Sequence, residues 1–161
     1  MKRKKIILIG KTGSGKTTLI QKLEARELLY QKTQAIEFSL YFIDTPGEYL
    51  ENRRYYSALI ITSADADLIG LVEDCTTEEV WMPPAFASTF AKEVIGIVTK
   101  TDLARDPGQI QAARTRLNQA GAVRIFEISA VLGDGIEELS RHLGMTASCP
   151  REVSVERREL F

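Results

Sequence analysis

The chain has 161 residues, 44% hydrophobic and 27% charged, ordinary proportions for one soluble globular domain with a sizeable core. Lys and Arg number 21 against 22 Asp and Glu, a formal net charge of -1, so nothing draws the chain as a whole toward nucleic acid and no such partner is expected. Cys75 and Cys149 lie far apart with no Cys-x-x-Cys spacing, and no apolar run reaches about 18 residues, which argues against a disulfide framework, a zinc site and a membrane-spanning helix and for a reducing cytoplasm.

Residues 4–9 form a short apolar run that ends at glycine, and residues 16–26 follow with helical spacing. Residues 35–43 alternate and carry β-branched and aromatic side chains, as a strand or tight hairpin does. A helix is expected over 54–62, a buried strand over 68–72, a shorter helical piece around the Pro83-Pro84 pair in 81–90, and a strand over 94–98. Pro107 opens a helix over 107–120, a strand follows over 124–128 and a helix over 135–143. Strands alternating with helices predict an α/β fold with a mostly parallel central sheet and helices on both faces. One domain over 1–146 and a polar, charged tail over 147–161 complete the division.

The strongest chemical signal is Gly10-Lys11-Thr12-Gly13-Ser14-Gly15-Lys16-Thr17, which fits GxxxxGK[ST] between an expected strand and an expected helix. Glycines there let backbone N–H groups turn inward around phosphates while the helix points its positive end at them. Lys16 reaches the β- and γ-phosphates in such a loop, Thr17 offers its hydroxyl to Mg²⁺, and Thr18 completes the phosphate-binding stretch. Asp44-Thr45-Pro46-Gly47 follows an apolar strand and fits DxxG, in which Asp44 holds Mg²⁺ through water and the Gly47 N–H faces the γ-phosphate.

Thr99-Lys100-Thr101-Asp102 fits a TKxD form of the guanine-reading NKxD motif. The Asp102 carboxylate can accept from guanine N1–H and the 2-amino group, whereas adenine presents an acceptor and a C–H and leaves it unpaired. Lys100 would lay its stem along the base, and Thr99 replaces part of the hydrogen bonding of the usual asparagine. Ser129-Ala130-Val131-Leu132-Gly133 fits SAxxG, whose Ala130 N–H contacts the guanine carbonyl. Thr33, the only threonine between Thr18 and Thr45, is the candidate effector-region ligand of Mg²⁺, with a plain surface threonine as the alternative. These motifs lie in an order that places each at a strand's C-terminal end, where open α/β sheets bind ligands.

Other residues admit two readings. Glu48, where efficient GTPases often carry glutamine, either acts on the attacking water or is a helix-start glutamate favoured by the dipole. As a carboxylate beside a γ-phosphate it predicts slow intrinsic hydrolysis. Arg53 and Arg54 either stabilise phosphate or a partner, or form a solvated cluster with Glu48 and Glu51, the more usual fate of surface arginine. His142 is expected as a C-terminal dipole partner and Trp81 in core packing.

Two stretches, Lys32-Thr33-Gln34-Ala35-Ile36-Glu37-Phe38 and Asp44-Thr45-Pro46-Gly47-Glu48-Tyr49-Leu50-Glu51-Asn52-Arg53, resemble the switch segments of the EutP/PduV family, small GTPase-like proteins associated with ethanolamine and propanediol utilisation in bacteria that build microcompartments. The likeness runs over about 1–143 and leaves the tail unmatched. It implies a Ras-like P-loop NTPase fold, cytoplasmic or microcompartment-associated residence, GTP or GDP with Mg²⁺ as ligand, and shell or pathway proteins as partners. Three activities stay open under it: a nucleotide-dependent switch, an ATP-dependent acetate kinase with Arg53 or Arg54 near the small anion, and an adaptor that binds nucleotide without turnover. Asp102 favours the first, because a kinase of that kind takes ATP.

Overall fold

Alternating burial along β1 (Ile6–Ile9) sets the architecture: Ile6 and Leu8 enter one apolar core and Ile7 and Ile9 the other. A strand buried on both faces belongs inside a sheet covered by helices, which is why it reads as an unbroken apolar run. A computed structural model of the chain describes residues 3–24, 37–38 and 41–145. Thr33, Cys149 and the tail expected over 147–161 lie outside the described residues.

After β1 come α1 (Lys16–Leu23), β2 (Glu37–Phe38), β3 (Phe42–Asp44), α2 (Glu48–Glu51), α3 (Tyr56–Ser63), β4 (Leu68–Asp74), β5 (Glu93–Thr99), α4 (Pro107–Ala120), β6 (Arg124–Glu127) and α5 (Ile136–His142). The sheet order is β2-β3-β1-β4-β5-β6, with β2 antiparallel to β3 and the other pairings parallel. One face packs Leu19, Ile20 and Leu23 of α1 and Leu139 of α5 against Ile6, Leu8, Phe42, Leu68, Ile95 and Ile97. The opposite face packs Leu50 of α2, Leu59 of α3 and Ala113 and Leu117 of α4 against Ile7, Ile9, Ile43, Ile69 and Val98. The expected α/β fold with helices on both faces is the one observed. Connections leave β1 toward β3 on one side and, after β3, toward β4 on the other, so a crevice opens at the carboxyl end of β1. Among the described residues no helix is long and apolar enough to cross a membrane.

Several local expectations need adjustment. The helix expected over 54–62 is divided: a 3-10 turn at Arg53–Tyr55 precedes α3, because Asn52 is extended and its side chain accepts from the Arg54 N–H, starting a fresh turn. The connection 75–92 holds only a 3-10 turn, Phe86–Thr89, after the two prolines, which lack N–H donors for a helical ladder. Trp81, half-buried, packs against the core as expected. His142 does sit in the last turn of α5, but it packs on the Phe126 ring at 5.2 Å and lies 3.7 Å from Glu93. Burial there, reinforced by Lys4 and Arg124, holds the imidazole below its ordinary pKa, which works against a charged dipole partner.

Candidate functional site

The loop after β1 turns through Gly15, whose φ of 98° suits glycine and which starts α1 with no side-chain cap. A helix begun this way presents its first N–H groups to whatever lies in front of it. Lys16, 6% exposed, folds back over the loop and donates from Nζ to the carbonyls of Gly10 (2.7 Å) and Lys11 (3.1 Å). Burial lowers its pKa to about 8, with Asp44 and Glu51 opposing the shift.

Parallel pairing brings Asp44 into register with Leu8, at the mouth of the same loop. The Thr45 hydroxyl donates to the Leu8 carbonyl at 2.7 Å and fastens the turn after β3 to β1. Thr17 Oγ1 donates to Asp44 Oδ2 at 2.5 Å. This meeting of a hydroxyl and a carboxylate is a hard-oxygen pair of the kind that suits Mg²⁺ when phosphates supply the remaining ligands. Among the described residues no cluster of three or more His, Cys, Asp or Glu side chains offers a self-sufficient metal site. Gly47 lies directly against the loop: a Cβ there would sit 2.0 Å from the Thr12 nitrogen. Thr18 is half-buried in the first turn of α1, and Glu48 is exposed at the start of α2, as a helix-start glutamate would be. Arg53 and Arg54 are exposed, in keeping with a solvated cluster.

The second half of the site is stitched to the first by long-range contacts. Thr99, 3% exposed at the end of β5, donates from Oγ1 to the Ser14 carbonyl at 2.5 Å and lies 3.4 Å from the Glu73 carbonyl. Lys100 has a left-handed backbone (φ 59°), and its Nζ donates to the Gly13 carbonyl at 2.7 Å and pairs with Asp74 at 3.0 Å. The exposed Asp102 accepts from the Ser129 hydroxyl at 2.8 Å, and Ser129 in turn accepts from the Leu132 N–H at 3.1 Å, closing the loop around half-buried Ala130. The Thr101 N–H and hydroxyl both donate to the Ile128 carbonyl, which ties the two loops together.

The structure therefore gathers Gly10 to Thr17, Asp44, Gly47, Thr99, Lys100, Asp102, Ser129 and Ala130 at the carboxyl ends of the strands. A family model described as ethanolamine utilisation - propanediol utilisation, PduV-EutP, matches residues 3–145. The chain belongs to the PduV-EutP family.

Within PduV-EutP the chain is 46% identical over 138 residues to the propanediol utilization protein PduV of Citrobacter freundii, covering 84% of this chain and 90% of that one. It is 34% identical over 143 residues to the probable acetate kinase EutP of Escherichia coli (strain K12), covering 87% and 89% respectively. A more distant likeness, 28% over 158 residues, is to the GTPase Era of Bradyrhizobium sp. (strain ORS 278), of which 52% is covered. Among solved structures, the bacterial selenocysteine-specific elongation factor EF-Sec superposes with a TM-score of 0.66 at 24% identity, over 89% of this chain and 28% of that one. That likeness shows a shared fold.

Four residues of this candidate site carry no signal in the sequence. Asp74 anchors Lys100, and neighbouring Glu73 is buried by an ion pair with Arg116 at 3.1 Å, its pKa raised by burial and restrained by that guanidinium. Two charges closing an apolar strand read as a boundary, whereas partners on β5 and α4 carry β4 through Asp74. Thr45 sat inside DxxG without a role. Glu51 accepts from the Thr12 N–H at 3.0 Å across 39 positions of sequence, a contact with no local signal.

Proposed function

We propose that the chain binds a guanine nucleotide with Mg²⁺ and acts as a slowly hydrolysing switch in ethanolamine or propanediol utilisation. The observation that carries this reading is the network joining Thr99 to Ser14, Lys100 to Gly13 and Asp102 to Ser129, which makes the base-reading loops and the phosphate loop one surface. In it, the Ser129 hydroxyl holds the exposed Asp102 carboxylate, which would accept from guanine N1–H and the 2-amino group. Lys16, already dry, exchanges its two carbonyl partners for phosphate oxygens, where a charge-assisted bond is stronger. Thr17 and Asp44 would hold Mg²⁺, with Thr33 from the effector region, and the metal supplies charge neutralisation at the phosphates. Gly10 to Thr18 supply the backbone cradle.

The slow turnover is supported by Glu48, a carboxylate where an amide orients water in faster enzymes. Switching agrees with the likeness to GTPase Era, and the pathway with the names borne by the family and by PduV. Residence is cytoplasmic, with shell or pathway proteins as partners. The decisive variant is Asp102→Asn: guanine nucleotides should weaken and xanthine nucleotides strengthen by about 1–3 kcal/mol as one hydrogen-bond reader replaces another. An unchanged base preference contradicts the assignment.

A second reading has one observation behind it, the 34% identity to proteins named probable acetate kinase EutP. There the γ-phosphoryl of ATP would pass to an acetate oxygen, leaving ADP and acetyl phosphate, with Arg53 or Arg54 as anion partner. Acetate-dependent formation of both products from ATP supports it, whereas nucleotide binding without any product supports an adaptor.

A further inference from the structure

We propose that Glu51 is a latch that makes this site favour a nucleoside diphosphate over a triphosphate, its carboxylate holding Thr12 where a γ-phosphate would otherwise be met. The inference rests on the nucleotide reading above and names a residue to which that reading gives no role.

Glu51 closes α2, the four-residue helix that begins immediately after Gly47. Its Oε1 accepts from the Thr12 N–H at 3.0 Å and its Oε2 lies 3.4 Å from the Thr12 hydroxyl, so both carboxylate oxygens grip one loop residue. At the other end of the same short helix, Gly47 is pressed against the Thr12 backbone with no room for a Cβ. The segment is thus clamped to the phosphate loop at both ends, through the same threonine. Leu50, 2% exposed, buries the middle of the helix and gives the clamp a rigid spacer.

Charge makes this clamp sensitive to phosphate number. Glu51 stands close enough to Lys16 to stabilise its ammonium, a task it shares with Asp44. A β-phosphate satisfies Lys16 and stops short of the Thr12–Gly47 contact. A γ-phosphate facing the Gly47 amide would bring negative charge toward the Glu51 carboxylate, itself exposed at the mouth of the site, a like-charge contact that departure of Glu51 relieves. The triphosphate therefore binds by displacing Glu51 and freeing α2, while the diphosphate leaves the clamp closed. Glu48, exposed at the opening of the same helix, has no such grip on the loop.

Calorimetric titration of wild-type chain, Glu51→Gln and Glu51→Ala with GDP and with GppNHp, each with Mg²⁺, tests the latch. Glu79→Gln, which removes an equal charge from an exposed loop, is the control, and circular dichroism verifies that each variant is folded. Both Glu51 variants should bind GppNHp about tenfold more tightly than wild type while GDP affinity stays within about twofold, and the control should leave the ratio where it was. Binding of both nucleotides with the same ratio in every chain overturns the latch and leaves the nucleotide reading standing. Failure of the wild-type chain to take up either nucleotide overturns both.

Discussion

The two ends of the site are prepared differently. At the base end, Asp102, Lys100 and Thr99 are tied to neighbours that fix their positions and still leave the exposed edge of Asp102 toward solvent. At the phosphate end the polar groups are spent on one another: Lys16 on loop carbonyls, Thr17 on Asp44, and the Thr12 amide on Glu51. A ligand can meet the first without rearrangement, whereas at the second it must replace existing bonds. Under the proposed nucleotide reading, specificity would be set cheaply at the base and conformational response concentrated at the phosphates, where binding free energy would go into opening contacts.

The largest expected effect breaks the phosphate end: Lys16→Ala removes its buried cation, and affinity for GDP and GTP should fall at least about a hundredfold, near 3 kcal/mol for a charge-assisted bond, by calorimetry. Gly47→Ala attacks the joint between the turn after β3 and the loop. Its methyl meets the Thr12 nitrogen, so backbone must shift, and thermal unfolding should show a loss of about 1–3 kcal/mol.

Proton linkage separates the ends more finely. Lys16 loses its proton near pH 8 in the free protein, and phosphates favour the charged form, so binding at pH 8–9 should take up a proton. Affinity should consequently drop about tenfold as pH rises from about 7 to 9, with heats that depend on the buffer's ionisation enthalpy; pH-independent binding contradicts a buried Lys16. For the nucleotide-free fold the sign is opposite, because the unfolded chain keeps this proton up to its ordinary 10.5 and stability from this group rises between about pH 8 and that value. The smallest effect sharpens the base end: Ser129→Ala frees Asp102 to swing, and guanine nucleotides should weaken about fivefold, roughly 1 kcal/mol, with no change for ATP.

Parts of this arrangement that depend on local chemistry were legible in the chain itself. The apolar runs of β1, β4 and β5 announce strands covered on both faces, and α4 is bounded by the Asp106 cap, whose side chain accepts from the Gln109 N–H, by Pro107 at its first position and by Gly121 at its end. The glycine-rich loop over 10–17 and the segments 99–102 and 129–133 proposed to read the base were equally plain as motifs, because their spacing is a property of neighbouring residues. What stayed hidden were contacts that exist only after folding. Glu73 and Asp74 read as the end of a strand until Arg116 and Lys100 arrive from distant elements, and Glu51 reads as one more surface acid until Thr12 is brought to it. Asn52, by opening a new turn, divided what periodicity made one helix.

The most direct test is competition for a fluorescent GDP analogue on the purified wild-type chain with magnesium, using unlabelled GTP and ATP in parallel. The account requires GTP to displace the probe at concentrations at least about a hundredfold below those of ATP, the margin two hydrogen bonds to a charged reader confer. Displacement by ATP at concentrations equal to or lower than GTP would contradict it.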